Sequence, residues 1–201
     1  MSAEKPVCLL ISFLPFRNRQ KNGSSTLASH VQSDQFQIVH TALPVVWKDL
    51  ALKVDRLVRQ YQPRVCLGMG ECPSSNVKYE TQAVNKCEGR DEDGFKNDVG
   101  LNTVCPSETV RYGTCTFDGE IEGLVLSRDA GAYLCNALLW TLLSYARRDD
   151  EHSDSGSGSV AIEKVGFLHV PEQGDTSDED FLAAHLSAVE AFIRSQQNTS
   201  K

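Results

Sequence analysis

The sequence predicts an α/β fold, a single-domain three-layer α/β/α sandwich around a mostly parallel twisted sheet. The first observation is an ordered succession of strand, helix, strand, helix and strand in the opening third, which builds a sheet with parallel neighbours and helices on its faces. The second is size: 201 residues with 40 % hydrophobic content suit one full core better than two small ones. The third is a late apolar run followed by a capped amphipathic helix, which adds a further strand and closes the second helical layer.

The elements follow from residue patterning. Residues 7–12 are a short apolar run without helical period, hence a buried strand, and Pro15 forces residues 13–16 into a loop at its carboxyl end. Ser24 or Ser25 caps a brief helix to about His30, and residues 36–42 alternate as a strand. Residues 47–61 set Leu50, Val54, Leu57, Val58 and Tyr61 on one helical face. Residues 64–67 are the next strand, 72–75 a turn, 77–86 an extended segment, and 88–100 a charged loop with no assignable structure. Residues 124–127 return to strand character. The apolar helix after Cys135 carries Leu138, Leu139, Leu142 and Leu143 and ends at Arg147 and Arg148. Residues 148–159, RDDEHSDSGSGS, cannot bury apolar surface and read as a mobile surface insertion. A last strand runs to His169. Thr176 or Ser177, followed by Asp178, Glu179 and Asp180, opens a closing helix with Leu182, Leu186, Val189 and Ile193 inward.

Composition excludes several functions. A net charge of −7 without a clustered basic face argues against nucleic acid and anionic membranes as partners. Seven cysteines, an odd number without any C-x-x-C, suit neither a disulfide framework nor a zinc cage, so no metal is expected and a reducing cytoplasm is the natural setting. The run near the amino terminus holds Pro15 and lacks a small-residue cleavage pattern, so it reads as a strand rather than a signal segment. No apolar segment approaches a membrane span, and without an export signal the sequons at Asn22 and Asn198 read as chance matches.

The chemistry centres on residues 127–136, SRDAGAYLCN, where a glycine turn delivers Cys135 to the start of an apolar helix. Free amides and the macrodipole of a first helical turn favour a thiolate there. A thiolate nucleophile needs a base and a group to orient that base. His169 ends an apolar strand, and Glu80 lies upstream. Cysteine is more often a core filler, and a lone histidine or glutamate is more often structural. The residues alone therefore leave catalysis and structure both open.

AGAYLCN (130–136), GFLHVP (166–171), the spacing of Glu80, Asn85 and Arg90, the opening SFLPF (12–16) and Leu43-Pro44-Val45 together resemble the pyroglutamyl peptidase I (pyrrolidone-carboxylate peptidase) family of cysteine peptidases, in that family's order along nearly the whole chain. The resemblance implies a phosphorylase/hydrolase-like fold and an omega-peptidase that removes N-terminal pyroglutamate from peptides without a cofactor. It implies Cys135 as nucleophile, His169 as base and then acid, Glu80 as the group orienting the imidazole, and Arg90 as active-site support. Phe13, Phe16, Met69 and Leu134 correspond to substrate-binding positions, and homo-oligomers remain open because family members differ in assembly. Met69 stands where the family has a glutamine able to bond the substrate, and a thioether supplies no amide hydrogen bond. Two further readings follow: a related thiol amidohydrolase with altered N-terminal acyl specificity, and a non-catalytic peptide-binding relative.

Overall fold

The structure, a computed structural model, describes residues 4–97, 107, 109–116, 119–146 and 160–197. In chain order its elements are β1 (Val7–Phe13), α1 (Gly23–His30), β2 (Gln37–Leu43), α2 (Leu50–Tyr61), β3 (Val65–Cys72), β4 (Val77–Glu80), β5 (Gln82–Val84), β6 (Val110–Tyr112), β7 (Leu124–Ser127), α3 (Leu134–Leu143), β8 (Lys164–Pro171) and α4 (Asp178–Ser195). Six strands form one sheet in the order β2-β1-β3-β8-β4-β7, and β5 and β6 pair separately as an antiparallel ribbon. The pairs β1–β2, β1–β3, β3–β8 and β4–β7 are parallel, whereas β4 runs antiparallel to β8. This is the mostly parallel α/β sheet expected from the strand and helix succession.

Each sheet face buries its own apolar cluster. One cluster joins Leu9, Ile11, Cys66, Val165 and Phe167 to Val54 and Val58 of α2 and to the apolar residues of α3. The other joins Cys8, Leu10, Leu67, Met69 and Leu168 to Leu27 of α1 and to Phe181, Val189 and Phe192 of α4. α3 is buried nearly all round, which explains a sequence that is apolar with little amphipathic bias.

Several boundaries differ from expectation. α1 is capped by Asn22, whose side chain accepts from the Ser24 amide, and not by Ser24 or Ser25. α2 begins at Leu50, because Asp49 before it lies in the left-handed region at φ 60° and interrupts any helix running in from Trp47. The extended segment 77–86 splits at Thr81 into β4 and β5, and β6 falls where no strand was expected. α3 ends at Leu143, well before Arg147 and Arg148, since residues 144–146 turn back so that Ala146 bridges Ile162. Along α4 the buried face centres on Phe181, Ala188, Val189, Phe192 and Ile193, with Leu182 and Leu186 only partly covered. The insertion at 148–159 lies outside the described residues. No described helix is long and apolar enough to cross a membrane.

Candidate active site

Strand alternation decides what the carboxyl edge of β3 and β8 presents, because successive side chains leave opposite faces of a sheet. Met69, Leu168, Val77 and Tyr79 go to the α1/α4 side. Gly70, His169 and Lys78 therefore share the α3 side, and cross-strand register sets them in one row. Gly68, Phe167, Glu80 and Ser127 form the next row inward on the same face.

α3 carries Cys135 over this face as the second residue of the helix. A Cβ on Gly70 would lie 2.6 Å from Cys135 Sγ, so the absence of a side chain at that strand position is what seats the sulfur. Asn136, fully buried, locks the helix start to the strand downstream of Glu80: its Oδ1 accepts from the Val84 amide at 2.9 Å, and its Nδ2 donates to the Val84 and Lys86 carbonyls at 2.9 and 2.8 Å. The turn before α3 uses Gly131 at φ 75°, a backbone conformation open to glycine without strain. Its entry is pinned by the Glu88 amide on the Ala132 carbonyl at 2.6 Å. Tyr133 packs edge-on against Trp47 and donates to the Arg90 carbonyl at 3.1 Å.

His169, 6 % exposed, sits edge-on to Phe167 and meets Glu80 Oε1 through Nδ1 at 2.9 Å. That leaves Nε2 to face the Cys135 thiol, whose interaction with the ring favours its protonated form. Burial alone would lower the histidine pKa, but the hydrogen bonds to Cys135 and Glu80 outweigh it and raise it from 6.5 to about 9. Glu80 is 0 % exposed, and burial would raise its pKa. Hydrogen bonds from His169, the Ser127 hydroxyl and the Asp129 amide, the last at 3.0 Å to Oε2, hold it below its usual value instead. The imidazole thus bonds the carboxylate and interacts with the sulfur at the amino terminus of a helix, an arrangement suited to a thiolate–imidazolium pair.

The remaining sequence candidates are placed differently. Arg90 is exposed, turns its guanidinium onto the Gly94 carbonyl of its own loop, and accepts from the Tyr133 hydroxyl through its own carbonyl. Met69 is 0 % exposed within the opposite core cluster, and alternation along β3 separates it from Cys135 by the thickness of the sheet. Its side chain lies on the far side of the sheet from the sulfur, which departs from the substrate-binding place expected for it. Phe13 and Leu134 are core side chains on the correct face, and Phe16 is half-buried on that side with the Arg17 and Arg19 guanidinium groups 5.6 and 5.3 Å from its ring centre.

Sequence reasoning passed over four contributors: Gly70, Asn136, the amide of Asp129, and Glu71. Glu71 accepts from the Gly23 and Gln173 amides at 2.6 and 3.1 Å and pairs with Arg19 at 3.0 Å. It thereby ties the first loop and the loop after His169 to β3. The alternation Gly68-Met69-Gly70 inside an apolar strand was a readable signal of close approach on one face. Among the described residues, no three His, Cys, Asp or Glu side chains gather as a metal cage would require.

Known peptidases resemble this chain over most of its length. A pyrrolidone-carboxylate peptidase of Thermococcus litoralis is 26 % identical over 209 residues, covering 92 % of this chain and 90 % of its own length. One from Saccharolobus islandicus is 26 % identical over 179 residues, covering 81 % and 78 %. In fold, the chain resembles the solved pyrrolidone carboxyl peptidase of T. litoralis with a TM-score of 0.72 at 21 % identity, over 95 % of this chain and 93 % of that one. The Pyrococcus furiosus counterpart gives 0.69 at 22 %, over 93 % and 98 %. The family model described as pyroglutamyl peptidase matches residues 7–180, and the chain belongs to the pyroglutamyl peptidase family of cysteine peptidases.

Proposed function

We propose that this protein is a cysteine exopeptidase that hydrolyses the bond following an N-terminal pyroglutamyl residue. The observation carrying the proposal is the bonded His169–Glu80 pair beside Cys135, whose sulfur lies over Gly70, the cross-strand partner of His169, in a member of this family. In the first half-reaction Cys135 gives its proton to His169 and the thiolate attacks the pyroglutamyl carbonyl carbon. The tetrahedral oxyanion is stabilised by backbone amides at the start of α3, which lack intrahelical acceptors. The imidazolium then protonates the departing amine, the C–N bond breaks, and a thioester remains on Cys135. In the second half-reaction His169 takes a proton from water, the resulting hydroxide displaces the thiolate, and pyroglutamate leaves. Glu80 holds Nδ1 so that Nε2 faces the reacting atoms throughout. No metal or organic cofactor enters these steps.

The buried position of Met69 removes the main reason for the altered-acyl reading, since the change at that residue does not reach the substrate side of the sheet. The half-buried Phe16 offers an apolar face to a flat lactam. Cys8, Cys66, Cys72, Cys115 and Cys135 are free thiols, which supports a reducing compartment such as the cytoplasm. Release of a fluorescent amine from pyroglutamyl, prolyl and acetyl-amino-acid amides, by the wild type and by Cys135→Ala, tests the function. The expected result is pyroglutamyl release alone, abolished by the substitution. Preference for another acyl group overturns the substrate, and tight binding of a pyroglutamyl peptide without release overturns the catalysis.

A further inference from the structure

Lys78 is a cation on the face that carries the Cys–His–Glu chain, and the residues around it leave it without an acid. It lies directly across from His169 in the β4–β8 register and in the same row as Gly70, on the side of the imidazole away from the sulfur. Val77 and Tyr79 fill the opposite core, so alternation fixes the direction of Lys78. Directly paired residues hold their Cβ atoms about 5 Å apart, which sets the four-carbon stem alongside the imidazole. The side chain is half-buried and forms no ion pair with another described residue. The acids of this edge are already engaged: Glu80 with His169 and the Asp129 amide, and Glu172 with Arg19 at 3.3 Å. Cys72 shares the edge, but burial pushes its thiol up to about 11, so at neutral pH it brings no negative charge.

We propose that Lys78 is a specificity-determining residue that binds a substrate carboxylate placed beside the scissile bond, making pyroglutamyl dipeptides with a free α-carboxylate the favoured substrate class. The inference rests on the pyroglutamyl-hydrolase reading given above. A leaving nitrogen protonated by His169 lies over β8, so the residue that bears it extends towards β4 and Lys78. In a pyroglutamyl dipeptide the carboxyl carbon is two bonds from that nitrogen. In a longer or amidated substrate the same place is taken by a neutral carbonyl. A charge-assisted hydrogen bond to a half-buried ammonium would favour the acid, by about tenfold at low ionic strength.

The experiment compares kcat/KM for pyroglutamyl-alanine and pyroglutamyl-alanine amide, with a pyroglutamyl coumarin amide as the carboxylate-free reference. The wild type is expected to favour the acid about tenfold, and Lys78→Met to bring the ratio within about twofold of one. Lys78→Arg should restore most of the preference. Because the pair is partly solvated, raising salt from about 0.05 to about 0.5 M should shrink the wild-type ratio without any substitution. A wild-type ratio near one, or a preference that persists in Lys78→Met, overturns the inference. Both substrates slowing together with a displaced pH profile overturns it too, assigning Lys78 to protonation of the Cys–His pair. If the coumarin substrate is untouched by the wild type, the pyroglutamyl reading itself has failed and this inference falls with it.

Discussion

On the face covered by α1 and α4, the strands β3, β8 and β4 present Leu67, Met69, Leu168 and Tyr79, which fill the space between sheet and helices. On the face covered by α3, the same three strands present Gly68, Gly70, Phe167, His169 and Glu80. The backbone is common to both. The difference lies in what side-chain volume is withheld: where glycine leaves a gap, a helix can lower a sulfur to within reach of an imidazole, and where Met69 fills it, only packing results. One strand thus carries a core on its odd-numbered positions and the seat of the Cys135 sulfur on its even ones.

The largest expected effect comes from filling that gap. Gly70→Ala puts a Cβ 2.6 Å from Cys135 Sγ, and the sulfur must move. A displacement near 1 Å at the reacting atom costs about 100-fold in rate. Met69→Leu on the opposite face is a near-isovolumetric swap costing less than about 1.5 kcal/mol of stability, and its turnover should stay within about threefold. Steady-state rates and thermal midpoints measured on both variants separate displacement of the sulfur from loss of fold. Equal losses of rate at 69 and 70 would break the comparison.

Glu80→Gln should act next most strongly, lowering kcat by about 10²–10⁴ with little change in KM, as for a group that fixes an imidazole without touching substrate. The pH dependence carries its own sign. His169 is raised from 6.5 to about 9, so the stability it contributes is fully present below about pH 6.5 and is lost as pH rises through about 9. Glu80 is lowered from 4.5, so its contribution is present above about pH 4.5 and is lost as pH falls through its folded value. Both contributions are therefore complete between those limits. In Glu80→Gln the alkaline limb of kcat/KM should move down from about 9 towards 6.5, because one of the hydrogen bonds holding the imidazolium is gone. A limb that stays in place removes Glu80 from the mechanism.

The sequence made one sheet face readable and the other only in part. Apolar runs at β1, β2, β3 and β8 and the amphipathic stripe of α2 follow from period and punctuation, which are local properties. The placement of Cys135 at a helix start was legible because turn, helix start and thiol are adjacent in the chain. The split at Thr81 and the antiparallel direction of β4 were not, since both arise from pairing with strands far along the chain. Met69 was misplaced for a related reason: its neighbours in sequence, Gly68 and Gly70, do face the site, and a single-residue step along a strand reverses the face. Asn136 and Glu71 escaped notice because their bonds run to backbone groups of distant segments.

The smallest expected effect is a labelling contrast that sharpens the distinction between face and environment. Cys66 belongs to the same core cluster that α3 packs into, yet burial pushes its thiol well above the ordinary value. Cys8 is raised to about 12 and Cys72 to about 11, and Cys115 is also raised, with burial the largest cause in each. Iodoacetamide at pH 7 should therefore modify Cys135, which is half-exposed and interacts with His169, at least about tenfold faster than these four, as read by peptide mass mapping over time. Glu80→Gln should narrow the ratio by weakening the imidazolium beside the sulfur. Equal labelling of Cys135 and Cys72 would mean that position at the sheet edge alone governs reactivity. A selective Cys135 whose advantage shrinks in Glu80→Gln would trace it to the bonded His169–Glu80 pair, because accessibility alone does not respond to a carboxylate one residue removed from the sulfur.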